Sequence, residues 1–250
     1  MLKLTALSKH FGGVRAVDGV DIAVAAGEIL GLIGPNGSGK STIVNLICGL
    51  FAPTAGQIRF RDTEITGVAP HERVAMGIAR TFQNISLFGQ LSVWQNLWVA
   101  QNSSHQRREQ PFLRRWLGGS RRDRQEIDRL LEFSGLAHKR DELAGSLAFG
   151  EQRRLEVARA LASKPSLLLL DEPAAGMNAE EIEQLDGRIR ALRQDGITVL
   201  LIEHHMELVM NVTDRVAVLN FGQKIAEGTP VAVQADPLVR EAYLGTADAA

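Results

Sequence analysis

Gly34-Pro35-Asn36-Gly37-Ser38-Gly39-Lys40-Ser41, followed by Thr42, has the spacing Gly-x-x-x-x-Gly-Lys-Ser. An apolar run, Glu28 to Ile33, precedes it and predicts a strand, whereas Ile43, Leu46 and Ile47 follow at helical spacing. Glycines in such a loop let successive backbone N–H groups surround a phosphate chain, and the following helix adds the positive end of its dipole. We therefore predict a phosphate loop in which Lys40 reaches the β- and γ-phosphates and the Ser41 hydroxyl ligates Mg²⁺.

The alternative to a phosphate loop is a glycine turn that contains Lys-Ser by chance. With glycine at about 7% of residues, such a match somewhere in the chain is expected on the order of once in a hundred sequences. The flanking strand and helix make that alternative weaker still.

A second pattern is an acidic pair, Asp171-Glu172, directly after the apolar run Leu167 to Leu170. The run predicts a fully buried strand, and open α/β sheets bind ligands at the carboxyl ends of their strands. Asp171 is therefore predicted to help hold Mg²⁺, and Glu172 to polarise the attacking water. Two carboxylates at a solvated strand end would be weak evidence alone, but together with the phosphate loop they predict nucleotide hydrolysis.

The organisation of the chain is predicted from its apolar patterns. Val199 to Ile202 reads as another buried parallel strand, and a helix over 179–193 fits before it, which indicates an α/β core. Alternation at 20–24 and 58–60 predicts half-exposed strands. The region from Ile85 to Ala162 reads as mostly helical. We predict one domain in which 1–84 and 163–250 form the nucleotide-binding core and 85–162 an inserted helical subdomain.

Composition excludes several classes of protein. The chain has 250 residues and a net charge of -1, which gives no overall attraction to nucleic acid. The single cysteine, Cys48, cannot form an internal disulfide and is predicted to be buried and inert. No apolar run approaches the roughly 18 residues of a membrane span, and the N-terminus lacks a signal-peptide pattern. We expect a cytosolic protein that reaches a membrane only through a partner.

A third pattern is Leu147-Ala148-Phe149-Gly150-Glu151-Gln152 with the helical sequence that follows it. Together with the phosphate loop and the acidic pair, it resembles the signature of ATP-binding subunits of ABC transporters. The resemblance implies a phosphate-loop (RecA-like) ATPase core with an antiparallel β subdomain and an inserted helical subdomain. It also implies two ATPase subunits that clamp two ATP molecules, with Mg²⁺, between them. Each ATP would meet one subunit's phosphate loop and the signature residues Ala148, Gly150 and Glu151 of the other.

Three more residues match positions with known roles in that family. Gln83, in Arg80-Thr81-Phe82-Gln83, matches the glutamine that senses Mg²⁺ and faces the membrane partner. His204 matches the switch histidine that contacts the γ-phosphate. Phe11 matches the aromatic residue that stacks on adenine, although a single phenylalanine more often belongs to a core. A metal site at His204-His205 is the competing interpretation, and it is disfavoured because adjacent histidines point in different directions and no cysteine supports them.

Within the family the resemblance is greatest to the ATPases of branched-chain amino acid importers. It implies integral membrane permeases and a second ATPase as partners, an extracytoplasmic solute-binding protein indirectly, and a peripheral location at the cytoplasmic face of the membrane. Urea importers and lipopolysaccharide exporters have related ATPases and remain alternatives. A soluble ABC protein of DNA repair or translation is disfavoured by the single cassette, and a binding module without turnover is disfavoured by Glu172.

The chain departs from the usual family pattern in the signature, where Ala148, Phe149 and Glu151 stand at its variable places, and again at Asn178. Ala148 replaces the serine whose hydroxyl would contact a γ-phosphate, and Asn178 replaces the usual aspartate after the acidic pair. We therefore hypothesise that this subunit pairs with a different ATPase and that the two ATP sites hydrolyse unequally. The arginine-rich segment 102–125 is interpreted as a solvated insertion, with contact to anionic lipid headgroups as the alternative.

Overall fold

The computed structural model describes residues 1–82, 85–103 and 121–244, which form ten strands and nine α-helices. The strands are β1 (Leu2–Phe11), β2 (Val14–Val24), β3 (Ile29–Ile33), β4 (Ala55–Phe60), β5 (Thr63–Glu64), β6 (Ile78–Arg80), β7 (Leu167–Asp171), β8 (Thr198–Ile202), β9 (Arg215–Asn220) and β10 (Gln223–Gly228). The helices are α1 (Lys40–Ile47), α2 (Pro70–Ala75), α3 (Val93–Ser103), α4 (Arg121–Ser134), α5 (Phe149–Leu161), α6 (Ala179–Gln194), α7 (Met206–Val212), α8 (Pro230–Ala235) and α9 (Pro237–Leu244). The predicted arginine-rich segment 102–125 lies largely outside the described residues.

A six-stranded sheet forms the centre of the molecule, in the order β10-β9-β3-β8-β7-β6. The strands from β9 to β6 pair in parallel, and β10 is added antiparallel at one edge. Every residue of β3, β7 and β8 is buried, which confirms the buried parallel strands predicted from the apolar runs. Helix α6 connects β7 to β8 as predicted.

Both faces of this sheet are covered, because successive side chains of a strand point to opposite sides. Leu168 and Leu170 of β7 pack with helices α3, α4, α5 and α6 in one apolar cluster. Leu167 and Leu169 pack instead with α1 and the strands of a second sheet. The consecutive leucines therefore serve two cores at once, and they place Asp171 at the carboxyl edge between them.

The second sheet has four antiparallel strands in the order β2-β1-β4-β5. Its buried face includes Leu2, Leu4, Ile22 and Ile58 and packs in the same cluster as α1. This matches the alternation that predicted half-exposed strands, since β2 and β4 alternate between buried and exposed residues. The sheet covers the helix that begins at the phosphate loop.

The segment between β6 and β7 contributes α3, α4 and α5 among the described residues. Leu97, Ile127 and Leu155 from these helices pack into one cluster, which also contains residues of the central sheet. Residues 85–92 are not helical, so the helical character predicted from Ile85 begins only at Val93. The division of the chain at about residues 84 and 162 stays a prediction.

Cys48 and its surroundings differ from the sequence prediction. Helix α1 ends at Ile47, because Gly49 adopts a left-handed conformation with φ of 76°. Cys48 follows the helix and is half-buried rather than buried. Burial nonetheless raises the pKa of its thiol to about 11.

In the described parts of the chain, no helix has the length and apolar character needed to cross a bilayer.

Candidate nucleotide site

The phosphate loop connects β3 to α1, as the sequence predicted. Gly34, Gly37 and Gly39 have φ angles of 150°, 78° and 106°, which residues with a side chain rarely adopt. A Cβ atom at Gly34 would lie 2.1 Å from the carbonyl oxygen of Leu219, and one at Gly39 would lie 2.4 Å from that of Ala16. Glycine is therefore required at both positions by conformation and by space. Pro35, Asn36, Ser38, Ser41 and Thr42 complete this loop and the first turn of α1.

Lys40 is the buried cation of this loop. Its Nζ donates hydrogen bonds to the carbonyl oxygens of Gly34 at 2.7 Å and Pro35 at 2.9 Å. Burial lowers the pKa of Lys40 from 10.5, and the charges of Glu172 and Asp171 oppose that shift. The ammonium group is thus held over the loop and lies close enough to the acidic pair to sense both carboxylates.

The acidic pair lies at the end of β7, as predicted. Oδ2 of Asp171 accepts a hydrogen bond from Nη2 of Arg80 at 2.8 Å, and the Asp171 side chain is only 5% exposed. Glu172 follows with φ of 50°, a conformation that is strained for a residue with a Cβ atom. Its Oε1 lies 2.6 Å from Nε2 of His204. The structure therefore brings Lys40, Asp171, Glu172 and His204 to one edge of the sheet.

The oxygen atoms available at this edge fit magnesium. Ser41 supplies a hydroxyl in the first turn of α1 and Asp171 a carboxylate, and hard cations prefer oxygen donors. Mg²⁺ commonly binds through one or two protein oxygens together with phosphate oxygens. Among the residues that the structure describes, no group of three or more His, Cys, Asp or Glu side chains could hold a metal alone. Within those described ranges, His204 and His205 are thus not part of such a group.

Glu203 is a residue of the site that the sequence analysis missed. Its buried carboxylate accepts backbone hydrogen bonds from Ala174 at 2.7 Å, His204 at 2.8 Å and His205 at 3.0 Å. It thereby joins the loop after the acidic pair to the loop that carries His204. The available signal was a carboxylate directly after the buried strand β8, but a single glutamate beside two histidines has no distinctive spacing.

The predicted signature forms the start of helix α5. Ala148 is the N-cap residue, and Oε2 of Glu151 accepts a hydrogen bond from the Ala148 backbone N–H at 3.0 Å. The same oxygen accepts a hydrogen bond from Nζ of Lys139 at 2.9 Å. Burial raises the pKa of Glu151, but the hydrogen bonds from Lys139 and Ala148 outweigh it and hold the pKa below its usual value. The charge of Glu151 is therefore compensated within the chain.

Close packing also holds the signature against the loop that follows the acidic pair. A Cβ atom at Gly150 would lie 2.1 Å from Oε1 of Glu181, and one at Gly176 would lie 2.7 Å from the ring of Phe149. Asn178 caps α6 by accepting a hydrogen bond from Glu181 N–H at 3.0 Å. Within the described ranges, no hydrogen bond joins Ala148, Gly150 or Glu151 to the phosphate loop of the same chain.

Two predicted residues lie apart from this arrangement. Gln83 falls outside the described residues. Phe11, at the end of β1, is 43% exposed and packs edge-on against Phe51, with ring centroids 5.3 Å apart. Nζ of Lys9 lies 4.9 Å from the Phe11 ring centroid. The ring is therefore partly available for stacking, and its contact with adenine stays a prediction.

Comparison with known proteins gives the family. Residues 17–175 match the ABC transporter family, and residues 223–249 match the family described as branched-chain amino acid ATP-binding cassette transporter. The chain belongs to the ABC transporter family. This cassette is 40% identical over 251 residues to the high-affinity branched-chain amino acid transport ATP-binding protein BraF of Pseudomonas aeruginosa, with 99% of this chain and 98% of the relative covered. It is 41% identical to LivG of Escherichia coli K12, a protein with the same description, at the same coverage.

Solved cassettes have the same fold. An ATP-binding cassette of an ABC transporter in its ADP conformation has a TM-score of 0.86 and 33% identity, with 98% of each chain covered. A dimeric cassette in a post-hydrolysis state with ADP and Pi has a TM-score of 0.79 and 25% identity, covering 92% of this chain and 99% of that one. These likenesses confirm the predicted fold class, a phosphate-loop ATPase core with an antiparallel sheet and added helices.

The C-terminal region of the cassette also reaches the phosphate loop. Burial raises the pKa of the Tyr243 hydroxyl, and a hydrogen bond from the backbone of Gly34 partly opposes that shift. Leu238 and Glu241 of helix α9 line one pocket together with Pro35 and Asn36, so the helix lies beside the loop that links β3 to α1.

Proposed function

We propose that this cassette is the ATP-hydrolysing subunit of a membrane importer for branched-chain or other hydrophobic amino acids. The observation that carries the proposal is its 40–41% identity, over nearly the full length of both chains, to ATP-binding proteins of branched-chain amino acid transport. The grouping of Lys40, Asp171, Glu172 and His204 at one edge of the sheet supports hydrolysis at this site.

In the proposed reaction the phosphate loop binds ATP through its backbone N–H groups and Lys40. Bound Mg²⁺ would be held by Ser41 and Asp171, together with Gln83 as the family resemblance implies, and would neutralise charge on the β- and γ-phosphates. Glu172 accepts a proton from water as the water oxygen attacks the γ-phosphorus, and the bond from that phosphorus to the ADP oxygen breaks. His204, which is hydrogen-bonded to Glu172, keeps the carboxylate oriented and contacts the γ-phosphate.

The signature end acts on a second nucleotide in this proposal. Two ATPase subunits face each other, so that the α5 N-terminus of one presents its backbone N–H groups to the γ-phosphate bound by the other. Closure of the pair moves integral membrane permeases, and hydrolysis resets it. The cassette therefore works at the cytoplasmic face of the membrane, and an extracytoplasmic solute-binding protein acts on it only through the permeases.

The experiment that tests this function has two parts. A gentle detergent purification of the tagged cassette from its native membranes should recover permeases. It should also recover a second ATPase if the transporter contains two different ATPase subunits. Uptake of radiolabelled leucine should fall when the gene is deleted and return with the wild-type gene but not with one encoding Lys40→Ala. Recovery of soluble partners only, with unchanged uptake of leucine, isoleucine and valine, would rule the proposal out.

A further inference from the structure

Arg80 is a partly buried cation between the phosphate-loop helix and the acidic pair, and the proposed reaction gives it no role. Its Nη1 donates a hydrogen bond to Oδ1 of Asn45 at 2.6 Å, and its Nη2 donates one to Oδ2 of Asp171 at 2.8 Å. The Arg80 side chain is 12% exposed, and its guanidinium carbon lies 5.1 Å from the Phe82 ring centroid. One guanidinium therefore contacts both α1 and the end of β7.

The backbone around Arg80 is tied to the same strand that carries Asp171. Arg80 pairs with Leu169 in the β6–β7 ladder, and the N–H of Thr81 donates to the carbonyl oxygen of Leu169 at 2.9 Å. The Asp171 N–H in turn donates to Oγ1 of Thr81 at 3.1 Å. Main chain and side chain thus hold the two residues in one fixed relation.

The arginine binds one oxygen of the Asp171 carboxylate, Oδ2, and makes no hydrogen bond to the other, Oδ1. Across the described residues, Oδ1 of Asp171 makes no hydrogen bond, so it stays available as an oxygen donor. Guanidinium is planar and rigid, and its second arm is bound by Asn45, which prevents the group from following a rotating carboxylate. Partners that orient metal-binding side chains in this way commonly change metal affinity when they are removed.

We propose that Arg80 is a positioning residue that holds the Asp171 carboxylate for Mg²⁺ and ties its orientation to Asn45 on the phosphate-loop helix. This proposal rests on the proposed function, because it concerns the metal that accompanies ATP. Arg80 acts here through Asp171 and not on the reacting atoms. Its removal should therefore affect the metal requirement of nucleotide binding more than nucleotide binding itself.

The test is nucleotide binding by the purified full-length cassette, followed with a fluorescent ATP analogue in EDTA and in a Mg²⁺ titration. In Arg80→Gln, affinity in EDTA should stay close to that of the wild type, while the Mg²⁺ concentration at half-maximal binding should rise roughly 10–100-fold. Arg80→Lys keeps the charge but not the fork and should give a smaller rise. Mn²⁺ binding in the presence of the analogue, measured by electron paramagnetic resonance, should weaken in the same order.

Two controls make the result specific. Asn45→Ala removes only the second anchor and should raise the Mg²⁺ requirement less than Arg80→Gln does. Arg190→Gln, which breaks an exposed ion pair with Asp186, should leave it unchanged. An unchanged or lower Mg²⁺ requirement in Arg80→Gln, or an equal loss of affinity with and without metal, would overturn the proposal.

The design also separates this proposal from the proposed function. If the wild-type cassette binds no nucleotide under either condition, the proposed function fails. If the wild type binds nucleotide with Mg²⁺ dependence and the Arg80 variants have the same Mg²⁺ requirement as the wild type, only the role of Arg80 fails. Should Arg80→Gln not fold, as shown by a lost thermal transition, Arg80→Lys and Asn45→Ala carry the same test.

Discussion

The phosphate-loop edge and the start of helix α5 both serve a triphosphate in the proposed dimer, yet they treat charge differently. At the first, Lys40 faces Asp171 and Glu172, and its pKa responds to both carboxylates. At the second, Glu151 is already paired with Lys139 and with a backbone N–H. The first region offers charged groups to a ligand, whereas the second offers backbone dipoles with its charges compensated.

This difference suggests a division of labour between the two regions. A site that brings a cation and two carboxylates together can bind nucleotide and metal within a single chain. A helix N-terminus without the usual serine hydroxyl, as at Ala148, adds a weaker interaction that matters only when a partner supplies the nucleotide. We therefore expect changes at the first region to affect the isolated cassette and changes at the second to affect the assembled one.

The largest effect should come from Glu172→Gln. The amide keeps the size of the side chain but cannot accept the proton from water, so turnover should fall by about 10²–10⁴ while ATP binding persists. Phosphate release and nucleotide binding would be measured on the same preparation. Glu183→Gln, on the exposed side of α6, is the matched control and should hydrolyse normally. Near-normal hydrolysis by Glu172→Gln would remove Glu172 from the role of base.

The next effect is the reactivity of the Cys48 thiol, which reports how well the packing after helix α1 shields it from solvent. Burial favours the neutral thiol and raises its pKa from 9.0 to about 11, so the thiolate fraction at pH 8 falls on the order of a hundredfold. Alkylation by iodoacetamide should be slower by at least that factor than in denaturant, where the usual pKa returns. The rate should rise with pH until about pH 11. Equal alkylation rates in the folded and unfolded chain would show that the Cys48 thiol is not shielded.

Lys40→Ala and Lys139→Ala compare the two regions directly. Loss of the Lys40 ammonium should weaken ATP binding by the isolated cassette by about 1.5–3 kcal/mol, as expected for hydrogen bonds to a charged group. Lys139→Ala should leave the same affinity unchanged, because its partner Glu151 belongs to the signature end. Calorimetric titration of both variants with ATP would measure this. A similar loss in both would contradict the division of labour between the two regions.

The smallest effect is expected at Asn178. Its side chain caps α6, so Asn178→Ala should lower the free energy of unfolding by about 1 kcal/mol. Asn178→Asp supplies an equally good cap and should change stability by a few tenths of a kcal/mol at most. Urea unfolding of the three proteins would measure both values. If Asn178→Asp instead changed the free energy of unfolding by as much as Asn178→Ala does, the charge at this position would matter more than the cap.

Sequence reasoning located those parts of the candidate site that have a local sequence pattern. The phosphate loop, the acidic pair and the buried strands each leave a signal within ten residues of the chain. His204 was assigned by family resemblance, and the structure places it against Glu172, which lies 32 positions earlier. Arg80 and Glu203 were missed, because an arginine at a strand end and a carboxylate before two histidines have no distinctive spacing. Their importance comes from partners that are distant in sequence, such as Asp171 for Arg80 and Ala174 for Glu203.

A consequence for molecular evolution follows from the backbone of Phe82, the residue before Gln83. Its carbonyl oxygen accepts a hydrogen bond from Arg153 at 2.7 Å, and its N–H donates one to Glu156 at 3.2 Å. Arg153 and Glu156 are themselves paired at 3.1 Å and nearly fully buried. Losing one partner of such a pair leaves an uncompensated buried charge, which costs roughly 3–5 kcal/mol. The two positions should therefore be inherited as a unit, and lineages that change one should have changed the other.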